Sequence, residues 1–270
     1  MTTADVVHPA VTAAAAHPGH AGGTARRVEH VMGMPISLAL RGRHAQGPRA
    51  DAAWAAALAE LRRADAIFST YRADSWVSRL ARADARLGDA PPVVTEVLAI
   101  AEEARRQSDG AFDVRRPGPW RRTVLDPSGV VKGWAVDRAA RAFDDLEGTD
   151  VCLSAGGDMV CRTRAVGSRG WRIGVEAPHH PGRLVAVVPV RDGAVATSGL
   201  AHRRGHLVDP RTGLVPTALA SVTVVGPDLV WADIDATAAF VLGADALRWL
   251  RTRCCRTGLV VDRDGRSHLF

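Results

Sequence analysis

With 270 residues, 47% of them apolar, the chain has material for a large hydrophobic core, which excludes a natively unfolded polypeptide over most of its length. A net charge of +6 leaves an anionic small-molecule ligand open, but the arginines form scattered pairs such as Arg62–Arg63, Arg115–Arg116 and Arg203–Arg204. Without a long basic run or interleaved aromatics no nucleic acid is expected as partner, and without a span of about 20 apolar residues no membrane insertion is expected.

In chain order, Met1–Arg26 alternates Ala, His, Pro and Gly without helical or strand period, so residues 1–26 read as a disordered N-terminal tail and 27–270 as one domain. The first arginine is Arg26 and no apolar run precedes it, so no secretory signal is read; the first cysteine is Cys152, so no lipid anchor is read near the start. The expected localisation is cytoplasmic. Val28–Leu40 predicts strand, a turn at Gly33–Pro35, and strand. Arg49–Phe68 puts Trp54, Leu58, Leu61 and Phe68 on one helical face, and Val93–Arg106 does the same with Val94, Val97, Leu98 and Ala101. Arg115–Thr123 is Pro-rich and predicts a loop; a helix is expected from Gly133 to Leu146.

Beyond Asp150 the period shortens. Val151–Ser154, Trp171–Glu176, Leu184–Val190, Val222–Val225 and Gly258–Val261 predict strands, and Ala232–Arg253 a helical block jointed at Gly243. Helices and strands partly segregated along the chain favour an α+β fold. No repeat, G-x-G-x-x-G or G-x-x-x-x-G-K-[ST] motif is present. Cys152, Cys161, Cys254 and Cys255 fit no zinc spacing and are expected to be reduced and mostly buried, with the adjacent side chains of Cys254 and Cys255 diverging.

Several segments carry chemistry. Among 35 Lys plus Arg the chain has a single lysine, Lys132, and it has a single tyrosine, Tyr71. Lys132 offers a compact charge suited to phosphate, or a structural ion pair with Asp126 or Asp137. Tyr71 offers a stacking face, or a half-buried core aromatic at a helix end. In H-L-V-D-P-R-T-G (His206–Gly213), His206 projects from a turn as a general base oriented by Asp209 or Asp192, or it hydrogen-bonds the turn. In W-A-D-I-D-A-T, Asp233 and Thr237 share a helical face as two hard oxygen ligands, or Asp233 caps the helix; Asp235 points elsewhere and is expected to be exposed. The paired glycines of S-A-G-G-D-M (Ser154–Met159) either present amides to an anion or form a strand-end turn.

In order, M-G-M-P (Met32–Pro35), F-S-T-Y-R (Phe68–Arg72) with Ser75, G-A-F-D (Gly110–Asp113), D-x-x-G-x-x-K-G-x-x-x-D (Asp126–Asp137), G-G-D, A-T-S-G (Ala196–Gly199), H-L-V-D-P-R-T-G and A-D-x-x-A-T resemble the ApbE family of FAD:protein FMN transferases, from about Val28 to Gly243. The resemblance implies a two-lobed α+β fold with FAD and magnesium between the lobes. It implies an enzyme that cleaves FAD, attaches FMN through a phosphoester to a Thr or Ser of an acceptor flavoprotein, and releases AMP. The alternatives are a FAD pyrophosphatase giving FMN and AMP, and a non-catalytic flavin-binding protein. By motif, the resemblance makes His206 the catalytic base. It assigns Met32, Tyr71, Ala111, Phe112, Asp113, Asp126, Lys132, Thr197, Ser198 and Leu207 to cofactor binding. Gly129, through its carbonyl, Asp233 and Thr237 would ligate magnesium. Met34 stands where relatives commonly have threonine.

Overall fold

The computed structural model describes residues 23–117, 123–199 and 207–270. Most of the predicted tail, residues 1–22, lies outside the described residues; the first strand, β1 (Ala25–Val31), begins just inside it and pairs antiparallel with β2 (Met34–Gly42). The turn between them is Met32–Gly33, one residue earlier than predicted, with Met32 in the left-handed region at φ 58°.

Helix α1 (Pro48–Phe68) buries Ala50, Ala53, Ala57, Leu61, Ala64 and Phe68 at helical spacing, and α3 (Pro92–Gln107) buries Val94, Val97, Ala101 and Ala104. Short α2 (Trp76–Ala81) lies between them and is capped by the Ser75 hydroxyl, which accepts from Ser78 N at 3.1 Å. The stretch predicted to be a loop after α3 instead begins as a strand: β3 (Arg115–Pro117) pairs with β4 (Thr123–Leu125). Backbone pairing across this two-stranded ribbon outweighs the weak strand propensity of its Arg and Pro residues.

Helix α4 runs from Ser128 to Ala140, starting earlier than predicted because Asp-Pro supplies its entry: Asp126 Oδ1 accepts from Ser128 N at 3.1 Å. The remaining strands are β5 (Thr149–Ala155), β6 (Asp158–Arg162), β7 (Trp171–Glu176), β8 (Leu184–Val190), β9 (Gly193–Gly199), β10 (Leu219–Gly226), β11 (Thr257–Asp262) and β12 (Ser267–Leu269). Helices α5 (Leu229–Leu242) and α6 (Ala246–Leu250) meet at a short turn of helix over Gly243–Asp245, where the joint was predicted.

Eight strands form one sheet in the order β1-β2-β5-β6-β9-β10-β11-β12, with every neighbouring pair antiparallel. Strand alternation sends Ile36, Leu38 and Leu40 of β2, Val160 of β6 and Ala194 and Ala196 of β9 into the core shared with the helices. The intervening residues, Ala39, Met159, Cys161 and Val195, face the opposite way and pack against Trp171, Ile173 and Val190 of the β7–β8 hairpin. The result is an α+β fold of three layers, helices on one face of the sheet and a hairpin on part of the other.

Two sequence expectations are corrected here. Asp235 is fully buried, because Arg253 Nε and Arg256 Nε each lie 3.0 Å from one of its carboxylate oxygens. Only Cys161 among the cysteines is fully buried; Cys254 and Cys255 are exposed, since α6 ends at Leu250 and leaves them on a surface turn.

Candidate functional site

The G-G-D segment makes the turn from β5 to β6. Gly156 and Gly157 have φ 60° and 104°, and this two-glycine reversal places Asp158 at the head of β6 with its side chain inward. Asp158 Oδ1 accepts from Thr197 N of β9 at 2.8 Å, so the carboxylate ties two neighbouring strands. Its Oδ2 accepts from Lys132 Nζ, which reaches in from the second turn of α4.

Lys132 is held between two carboxylates. Asp233 Oδ2, on α5, lies 3.2 Å from the same nitrogen. Two features bring α5 this close. Gly133 lets α4 touch the first turn of α5: a Cβ there would lie 2.6 Å from Val230 Cα. Asp137, one helical turn further on, accepts from Leu229 N and Val230 N at 2.9 to 3.0 Å and satisfies amides at the start of α5 that have no partner within the helix. The helix cap itself is Asp228, which accepts from Trp231 N at 2.9 Å; Asp233 does not serve that purpose, and Asp137 is not the partner of Lys132.

The electrostatics follow from burial. Burial opposes the charge on Lys132, but Asp158 and Asp233 outweigh it and hold the ammonium pKa above its ordinary value. Burial pushes the Asp233 carboxyl up; Lys132 opposes this and the like charge of Asp158 adds to it. Asp233 is 3% exposed, and beyond the ion pair with Lys132 its Oδ2 has no hydrogen-bond partner. One turn along α5, the Thr237 hydroxyl lies 2.9 Å from the Ser198 hydroxyl of β9.

A cavity of about 420 Å³ opens over this cluster, within the ~300–1,000 Å³ span of small-molecule sites. Asp126, Ser128, Gly129 and Lys132 line it from the start of α4, Asp233, Thr237 and Val241 from α5, and Ile173 to Glu176 from β7 in the opposite layer. Phe112 closes one side; a Cβ on Gly129 would sit 3.3 Å from its ring. Asp126 also accepts from Arg116, which brings a guanidinium to the rim. Asp233, Ser198, Thr237 and Gly129 line the same cavity, and carboxylate, hydroxyl and carbonyl oxygens are the hard donors that a small divalent cation takes. Among the described residues no three of His, Cys, Asp and Glu gather around one point, so the other ligands would be hydroxyl, carbonyl, water or substrate oxygens.

Of the residues singled out in the sequence, Ala111, Phe112, Asp113, Asp126, Gly129, Lys132, Thr197, Ser198, Leu207, Asp233 and Thr237 all line this one cavity. Met32 and Tyr71 are not among its lining residues; Met32 packs against the core from the β1–β2 turn, and Tyr71 is 98% exposed, so it is no half-buried core aromatic. His206 lies outside the described residues. Both carboxylates expected to orient it have other partners: Asp192 accepts from Thr163 N at 3.2 Å, and Asp209 takes Nε and Nη2 of Arg211 at 2.9 Å each. The part of Asp158 was missed, although a lone lysine and an acid after paired glycines were both visible in the sequence. Arg116, Met34 and the β7 residues were missed as well, since nothing local marks them as cavity-facing.

Asp209 also shapes the turn that follows His206: its carbonyl accepts from Thr212 N and Gly213 N, and its amide donates to the Leu214 carbonyl at 2.8 Å. Hydrogen bonding from Arg211 holds the Asp209 carboxyl below its usual value of 3.8. A depressed carboxylate pKa stabilises above the unfolded-state value and ceases to do so as pH falls through the folded one. Asp209→Asn is therefore expected to cost about 0.5 kcal/mol at pH 7, after solvent screening of the half-exposed pair, and nothing once both states are protonated. Thermal midpoints of the two proteins across the acid range check this: the gap should close only below the ordinary Asp range.

Comparison with known proteins adds the context. A family model described as the ApbE family matches residues 32–117 and 115–258. A FAD:protein FMN transferase of Haemophilus influenzae is 30% identical over 132 residues, 45% of this chain and 38% of that protein. One from Treponema pallidum is 36% identical over 139 residues, 44% of this chain and 38% of its own length. The chain thus spans well under two thirds of the curated relatives it matches. Among solved structures, the ApbE protein of Thermotoga maritima superposes with a TM-score of 0.78 at 22% identity, over 91% of this chain and 96% of that one. The flavin transferase ApbE of Vibrio cholerae gives 0.76 at 21% identity, over 92% and 97%. At that identity these two establish a shared fold.

Proposed function

The chain belongs to the ApbE family, and from this we propose that it is a magnesium-dependent FAD:protein FMN transferase acting on a Ser or Thr hydroxyl of an acceptor flavoprotein. The observation that best supports this reading is the buried Asp233 carboxylate, whose Oδ2 has no partner but Lys132, on the floor of the cavity. The Gly129 carbonyl, Asp233 and Thr237 would hold magnesium. When bound, that ion supplies charge neutralisation at the pyrophosphate oxygens.

The chain's own groups do the rest. Lys132 presents a fixed positive charge to the phosphates while keeping Asp158 and Asp233 compatible with burial. Phe112 and Ala111 give an apolar wall, and Asp113, Asp126, Thr197, Ser198 and the backbone at Leu207 give polar contacts to FAD. His206 takes the proton of the acceptor hydroxyl as its oxygen attacks the FMN phosphorus. One phosphorus–oxygen bond forms to the acceptor, the bridging bond to the AMP phosphate breaks, and AMP leaves with the electron pair. Met32 and Tyr71 remain candidates for flavin contact outside the cavity's lining.

Incubation of the protein with FAD, magnesium and a candidate acceptor tests this. AMP and acceptor-bound flavin should appear in equal amounts, and EDTA should stop both, with restoration by added magnesium. AMP without bound flavin would instead mean a FAD pyrophosphatase, and flavin binding without AMP a carrier.

A further inference from the structure

Cys254 and Cys255 lie away from the cavity, on the exposed turn between α6 and β11. Side chains of adjacent residues normally point apart. Here Cys255 has φ 59°, in the left-handed region, and this turns it back so that the two Sγ atoms are 3.3 Å apart. A non-glycine residue in that region costs on the order of 1–2 kcal/mol, so the surrounding contacts must hold it there. They are visible: Arg256 Nη1 donates to the Cys254 carbonyl at 3.1 Å, and its Nε is anchored 3.0 Å from buried Asp235 of α5. The thiols therefore face each other on a turn fixed from inside the fold, open to reagents. The neighbouring Cys254, through a sulfur hydrogen bond and then its charge, pushes the Cys255 thiol above its usual value.

We propose that Cys254 and Cys255 form a redox-active vicinal dithiol that closes to an intramolecular disulfide by exchange with a small-molecule disulfide of the glutathione type. One cysteine thiolate attacks the external disulfide, forming a mixed disulfide and releasing one small thiol. The second cysteine then attacks the sulfur of the first, forming the Cys254–Cys255 bond and releasing the other. The two cysteines lose two electrons and two protons, and the external disulfide leaves as two thiols. The same facing pair chelates trivalent arsenicals, with both thiol protons lost as water. Because Asp235 sits on α5 between Asp233 and Thr237, ring closure acts on a turn braced against the helix that carries these two cavity residues and Val241.

The test uses the full-length protein, reduced and then incubated with glutathione disulfide before alkylation and peptide mass mapping. The peptide carrying Cys254 and Cys255 should resist alkylation and be lighter by two hydrogens, while Cys152 and Cys161, whose Sγ atoms are 3.9 Å apart across β5 and β6, stay alkylatable after unfolding. A glutathione adduct that persists on either exposed cysteine without closing, or closure at Cys152–Cys161 instead, would overturn the proposal. Phenylarsine oxide gives a second reading: C255S should weaken its binding by about a hundredfold, the lower end of what joining two contacts confers. Unchanged binding would count against a chelating pair. C255G removes the thiol while relaxing the left-handed backbone, so it carries the same test if the serine variant folds poorly.

Discussion

Lys132→Met is expected to lower the stability of the protein by about 3 kcal/mol and to abolish the proposed FMN transfer. Removing one member of a buried ionic cluster costs roughly 3–5 kcal/mol, because the partners left behind are charges without compensation. Here two carboxylates are stranded: the Asp158 side chain is 3% exposed and that of Asp233 5%, whereas the lysine retains 27%. The lower end of the range applies, since either carboxylate can escape part of the penalty by taking up a proton. Urea unfolding should show the midpoint falling with an unchanged slope, the sign of a stability change without a change in the surface exposed. Lys132→Met combined with Asp158→Asn should recover part of the loss, because the pair of changes removes a charge and its counter-charge together. Lys132→Arg separates charge from shape: a planar guanidinium cannot occupy the place of a compact ammonium between two carboxylates, so transfer should remain severely impaired although the net charge is kept. Full activity in the arginine variant would show that only the charge matters.

The sequence made the elements more legible than the way they meet. Helices α1 and α3 and the strands at Trp171–Glu176 and Leu184–Val190 were readable because burial on one side imposes a period of 3.6 or 2 on the residues themselves. Strands β6 and β9 were not read as strands. Their segments, D-M-V-C-R and G-A-V-A-T-S-G, are short or rich in small residues, and they become strands by pairing with neighbours far away in the chain. The site divides in the same way. Motif order gathered the cavity residues on α4 and α5, and Asp233 with Thr237 followed from helical spacing alone. What stayed hidden were contacts set by three-dimensional approach: Asp158 as the partner of Lys132, Asp235 drawn inside by two arginines, and Cys255 turned back on Cys254 by one positive φ. Each depends on a residue distant in sequence or on a single backbone angle, and neither leaves a periodic trace.

Gly133→Ala should be nearly as damaging as the loss of Lys132, although on helix propensity alone it ought to stabilise α4 by roughly 0.5–1 kcal/mol. The added Cβ would meet Val230 Cα at 2.6 Å and the Leu229 carbonyl oxygen and Val230 nitrogen at 2.9 Å. All three are backbone atoms, so no side-chain rotation relieves the clash and α4 and α5 must separate. Overpacking of this kind costs about 1–3 kcal/mol. Separation also loosens the bonds from Asp137 to Leu229 N and Val230 N, a further ~1–2 kcal/mol by analogy with a lost helix cap. A net destabilisation of about 3 kcal/mol is expected. The consequence for the site is larger than for the fold. Lys132 adjoins the substituted position and Asp233 rides on the displaced helix, so a shift near 1 Å changes the spacing of ammonium and carboxylate and should cost about a hundredfold in turnover. Asp137→Ala is the matched comparison, since it removes the same bonds without steric push and should lose stability with a smaller fall in rate. Equal falls in rate for the two variants would mean that the position of α5 is set by its capping bonds and not by the close approach at Gly133.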